Sequence, residues 1–151
     1  MTLNLLLAVH LLGAAIWVGG MAFALLVLRP SLTVLEGPQR LALLAQVFRR
    51  FFLVVWHAMP LILLTGYAML FGYFGGFAGV AWPVHVMHLF GLIMLAVFVA
   101  LFFGPWSSMR AAMRTGDHAR AGAALGRIRR LITVNLVLGL LTVVVASFSQ
   151  F

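Results

Sequence analysis

Four histidines sit inside apolar sequence: His10, His57, His85 and His88. A fifth, His118, lies in a charged stretch and reads as a surface residue. A neutral imidazole offers one lone pair to a metal and one N–H to an orienting hydrogen bond. It is a standard axial ligand of haem iron and also suits copper. Little else in the apolar stretches has comparable chemistry. They contain no Asp, Glu, Lys or Arg, which removes paired-carboxylate catalysis, carboxylate proton relays and arginine voltage sensing. No Gly-rich phosphate loop is present, nor a Ser-His-Asp set with its acid in an apolar stretch. The absence of Cys excludes a Cys-ligated zinc, an iron–sulfur cluster and a covalent c-type haem.

The elements that must position these histidines are long and apolar. Hydrophobic residues make up 65% of the 151 and mean hydropathy is +1.18. An ordinary soluble domain has about 45–50%. A water-soluble globular enzyme and a disordered chain are both excluded on these grounds. Four apolar runs, near 3–28, 51–71, 82–103 and 131–148, each suffice to cross a hydrocarbon layer of about 30 Å as a helix. None alternates like a barrel strand. The expected fold is an all-α, integral membrane four-helix bundle, one four-span domain over residues 1–151. No basic stretch precedes the first run, so no cleaved signal peptide is expected.

Charge is confined to the links. Arg29, Arg40, Arg49 and Arg50 fall in 29–50; Arg110, Arg114, Arg120, Arg127, Arg129 and Arg130 fall in 104–130. The positive-inside rule puts both links in the cytoplasm and both termini in the periplasm of a bacterial inner membrane. A net charge of +8 would suit nucleic acid, but the arginines flank apolar runs instead of covering a soluble face, so the partner is the lipid bilayer and not nucleic acid. Pro38 breaks the first link and starts a helix running into the second span. Gly116-Asp117 ends one helix and caps the next, so spans three and four are expected to continue as a hairpin. Its arginines are read chiefly as a solvated topology signal, with anionic headgroups as the alternative contact.

Depth sorts the histidines. At 1.5 Å per residue, His10 lies about 10 Å and His88 about 9 Å below the outer end of the bundle, with His85 at about 5 Å. His57, entering from the opposite side, lies some 10 Å lower. His10-x-x-Gly13 and His88-x-x-Gly91 share one spacing, and i, i+3 positions share a helix face. A glycine there would clear room for a flat macrocycle. The leading expectation is therefore b-type haem between His10 and His88, with His85 as substitute, Gly13 and Gly91 clearing the ring, and Trp17 and Phe90 as aromatic wall. Electron exchange with a quinol or a periplasmic partner, and a haem-dependent oxidoreductase activity, would follow from it.

Copper is the alternative cargo, because Cu(I) favours His and Met. Met59 and Met87 lie at poor angular spacing to their neighbouring histidines, Met94 lies roughly on the His88 side of its helix, no Met-x-x-x-Met ladder crosses the membrane, and all three read better as core filler. His57 adjoins the Trp56 carbonyl that Pro60 leaves free. The two could form a second polar pocket for a quinone, a water, a haem propionate or a metal. Asn135-x-x-x-Gly139 suits close interhelical packing with one hydrogen bond. A third reading is a structural or assembly subunit, as a homo-oligomer or in a larger membrane complex, whose histidines only hydrogen-bond.

The stretch from His10 to Met21, His-Leu-Leu-Gly-Ala-Ala-Ile-Trp-Val-Gly-Gly-Met, resembles the opening helix of the CopD family of copper-resistance membrane proteins. It is similar, more distantly, to HemJ, a membrane protoporphyrinogen oxidase family associated with b-type haem. Arg49-Arg50, Ala58-Met59-Pro60, Thr65-Gly66-Tyr67, Trp82 with its histidines, and Arg127-Ile128-Arg129-Arg130 leading to Asn135 continue the resemblance. It implies a four-helix unit and makes His10 the first-helix histidine of both families. Where HemJ-like chains carry a lysine in the third helix, this one reads His85-Val86-Met87-His88. Leu136 stands where they carry an acid. CopD-like chains typically have more helices and often a periplasmic copper domain.

Overall fold

The structure, a computed structural model, describes residues 2–149. It consists of four long helices: α1 (Thr2–Val34), α2 (Gly37–Gly72), α3 (Trp82–Arg114) and α4 (His118–Ala146). All four are apolar and long enough to cross a membrane, and no strand occurs among the described residues. The protein is an all-α, multi-pass membrane bundle. Each helix outruns its apolar span at the Arg-bearing end, so α2 begins at Gly37 and α3 reaches Arg114.

Local chemistry explains the ends. Glu36 and Ala81 are extended N-cap residues, each followed by a proline in the first turn, where the missing N–H costs nothing. Gly116 takes the left-handed conformation (φ 70°) that ends α3, and the Asp117 carboxylate accepts the Arg120 amide N–H at 2.9 Å to begin α4. Two π-helical stretches, Phe23–Leu28 in α1 and Phe102–Trp106 in α3, sit near the Arg-bearing end. Pro30 follows the first and Pro105 lies in the second. A proline removes one i→i−4 bond, and a wider turn is one way a helix absorbs that loss. By contrast α2 stays α-helical through Pro60.

Neighbours in sequence are neighbours in space. α1 packs along α2 and α3 along α4, with α1 also against α4. Buried residues of α2 recur as Leu44, Phe48, Phe52, Val55 and Met59, a stripe at three- and four-residue spacing. Phe52 is the centre of an aromatic seam. Its ring meets Phe48 at 5.5 Å, Phe98 at 5.9 Å and Trp106 at 5.3 Å, and Trp56 joins Phe98 and Phe102. On α4 the buried Asn135 donates from Nδ2 to the Met94 carbonyl (3.0 Å). One turn on, Gly139 lets Val18 and the Met94 side chain approach; a β-carbon there would stand 2.7 Å from Val18.

In lipid a truncated core side chain loses packing but little transfer free energy, because acyl chains are as apolar as the core. Phe52→Ala is thus expected to cost about 1–3 kcal/mol, below the about 3–5 typical of soluble cores. The exposed Leu53→Ala should cost under about 0.5 kcal/mol. Unfolding of both variants in mixed micelles checks the contrast.

Candidate metal centre

His10 lies on the face of α1 that meets α2. Its Nδ1 is 2.9 Å from the Ile62 carbonyl oxygen and 3.1 Å from Thr65 Oγ1. A carbonyl only accepts, so Nδ1 carries the proton and Nε2 keeps its lone pair. Thr65 donates its own hydroxyl hydrogen to the Leu61 carbonyl (2.6 Å), which leaves the hydroxyl oxygen facing the imidazole as a second acceptor. Gly66 makes the approach possible: a β-carbon there would lie 3.2 Å from His10 Cε1, inside ordinary contact distance. An N–H bound to a carbonyl is the arrangement that orients metal-binding histidines.

His88 has different surroundings. Its ring packs edge-on to Tyr67 of α2 at 5.5 Å and to Phe77 of the α2–α3 loop at 5.0 Å. His85, one turn nearer the mouth, stacks on the same Phe77 at 5.8 Å. The loop can fold Phe77 inward because Gly75 and Gly76 adopt φ values of 72° and 84°, which other residues rarely take. Neither His85 nor His88 hydrogen-bonds to another described residue. At i, i+3 spacing their β-carbons stand about 5–6 Å apart on one face.

His10 thus packs against Ile62, Thr65 and Gly66 of α2, and His88 against Tyr67 of the same helix and Phe77 of the loop. A β-carbon at Gly13 would stand 2.7 Å from Ile62 Cγ1, so this glycine serves helix packing instead of clearing a ring. Gly91 has no described residue within 4 Å of where its β-carbon would be. Trp17 is buried in the seam, edge-on to Phe98 at 6.1 Å. Gly13 and Trp17 are thus occupied by contacts with Ile62 and the aromatic seam, and neither lies open for a ring beside His10.

His57 also departs from expectation. Its Nδ1 donates to the Leu53 carbonyl of its own helix (2.7 Å), not to Trp56. The residue is exposed, beside Gly13 on an apolar groove of about 520 Å³ between α1 and α2. Met59 and Met94 are buried core residues, and His118 is exposed. Among the described residues no three His, Asp or Glu side chains gather to hold a metal. Phe77, Thr65 and Gly66 were not singled out as partners from sequence; the one available signal was the Thr65-Gly66 pair, a hydroxyl beside a site of close approach.

Fold and histidines define a four-span membrane protein with four of its five imidazoles in apolar sequence and its cationic charge at one end. The family model described as copper resistance protein D (CopD) matches residues 45–149, well over half of the chain, and the chain belongs to that family. No curated protein and no solved structure matches it closely enough for comparison. The matched residues contain His57, His85 and His88; His10 precedes them.

The hydrogen bond to Ile62 fixes a testable tautomer. Nitrogen NMR of histidine-labelled protein in micelles, at a pH where the ring is neutral, should show His10 protonated at Nδ1 and bare at Nε2. Gly66→Val should abolish that signature by pushing the ring off α2. Protonation at Nε2 in the wild type would contradict the geometry.

Proposed function

We propose that this chain binds monovalent copper as cargo at the end of the bundle opposite the arginines, and contributes to copper resistance from within the membrane. The observation that carries the reading is the His85–His88 pair: two imidazoles one turn apart, walled by Phe77 and bonded to no other described residue. Membership of the CopD family supports the choice of metal. Cu(I) is soft and accepts few ligands, so two imidazole nitrogens suffice where a divalent ion would seek more. The β-carbon spacing lets both rings reach one ion. His10, with its bare Nε2 deeper in the bundle, is the next imidazole available on the same side.

Orientation follows from the arginines. With both Arg-bearing links, 29–50 and 104–130, in the cytoplasm, the termini and His85 face the periplasm of a bacterial inner membrane. The chain then acts as one four-span unit that meets copper from the periplasmic side. A bis-histidine haem b is the second reading. Only the bare Nε2 of His10 favours it, and the filled space at Gly13 opposes it.

Titration of the purified full chain with Cu(I) against a chromophoric competitor tests the proposal. One ion should bind per chain, binding should vanish in His85→Ala/His88→Ala, and His118→Ala should bind as the wild type does. Copper uptake unchanged in the double variant would refute the site. A Soret band in the purified protein, lost in His10→Ala, would replace the copper reading with haem.

A further inference from the structure

At the Arg-bearing end a cavity of about 600 Å³ opens between α1, α2 and α4. Arg29, Arg40 and Arg129 line it, and neither acidic residue of the chain does. Asp117 is engaged in capping α4. Arg40 is half-buried: its Nη2 donates to the Leu35 carbonyl at 2.9 Å, while its buried Nε has no partner among the described residues. An unpaired buried donor on a charged group is costly, so this N–H calls for an acceptor. The rest of the wall is mostly apolar, with Leu25, Leu26 and Leu44 among its residues. A guanidinium is a planar fork that matches phosphate oxygens, and three together favour a ligand with net negative charge.

The wall thus asks for two chemistries in one molecule, an anionic phosphoryl group and a hydrocarbon tail. A free phosphate supplies only the first. A zwitterionic lipid supplies both but lacks the net charge that three arginines attract. We propose that this cavity binds an anionic phospholipid, with its phosphate held by Arg29, Arg40 and Arg129 and an acyl chain laid along Leu25 and Leu26. The site joins three helices beside the π-helical stretch of α1, so a bound lipid would brace that junction. It lies at the opposite end from His85 and His88 and does not depend on the copper reading.

The full chain, purified in a neutral detergent, is titrated with phosphatidylglycerol, phosphatidylcholine or inorganic phosphate. Binding is read by thermal unfolding and by mass spectrometry of the intact complex. Phosphatidylglycerol should be retained and raise the unfolding temperature, and phosphatidylcholine should do neither. Arg40→Gln and Arg129→Gln should each weaken binding about tenfold. Leu26→Trp, which crowds the acyl track from an exposed position without changing charge, should weaken it as well. Arg114→Gln removes the same charge at the far tip of α3 and should change nothing. Should Arg40→Gln not fold, Arg129→Gln and Leu26→Trp decide the matter. An equal loss in Arg114→Gln would show a diffuse charge effect and overturn the site. Equal binding of phosphatidylcholine, or equal stabilisation by inorganic phosphate, would overturn the assigned ligand.

Discussion

Hydrocarbon neither donates nor accepts a hydrogen bond, so each polar group within the spans must find its partner in the protein or stay near water. The histidines meet this constraint in three ways. His10 gives its N–H to the Ile62 carbonyl of the adjacent helix, with Thr65 as a second acceptor. His57 gives its N–H to Leu53, one turn back on its own helix. His85 and His88 rest on the faces and edges of Phe77 and Tyr67 near the mouth. Only the first solution requires a particular neighbour, and it comes with Gly66, which brings the two helices within reach. The contact is therefore an element of the α1–α2 interface as well as a means of presenting Nε2.

The same constraint gives the two ends of the bundle different characters. Near the arginines the core is a seam of interlocked rings, with Phe52 touching residues of both α2 and α3. Arg110 caps that seam, its guanidinium 5.8 Å from the Phe102 ring and 5.6 Å from the Trp106 ring. A cation over an aromatic face keeps some attraction where water is scarce. At the other end the two imidazoles lie against a second aromatic group. Tyr67 and Phe77 pack against the imidazoles, Phe71 packs on both of those rings in turn, and His85 is exposed.

Much of this fold is legible in the sequence because lipid imposes simple rules. Runs of about twenty apolar residues mark spans, and arginines confined to alternate links mark the ends. Gly116-Asp117 reads directly as a stop and a cap, and Asn135 with Gly139 as a close helix contact. What the sequence does not carry is the rotation of each helix about its axis and the identity of its neighbour. Gly13, one turn from His10, looks like space for a ring until α2 brings Ile62 into it. Arg29, Arg40 and Arg129 look like separate topology signals until α1, α2 and α4 place them around one cavity.

These considerations separate the packing role of α1 from the metal chemistry assigned to α3. The family match begins at residue 45, within α2, and so covers the helices carrying His57, His85 and His88 without covering His10. A copper site built on His85 and His88 needs only α3 and the loop that supplies Phe77. Residues i and i+3 of one helix keep their spacing even if neighbouring helices shift, whereas a bridge from α1 to α3 would depend on the whole bundle holding still. For a soft ion satisfied by two nitrogens, the local pair is the more robust construction. His10 then has a different value. Tied to α2 by its proton, it keeps one lone pair deeper in the bundle, where an ion leaving the outer pair would find the next nitrogen.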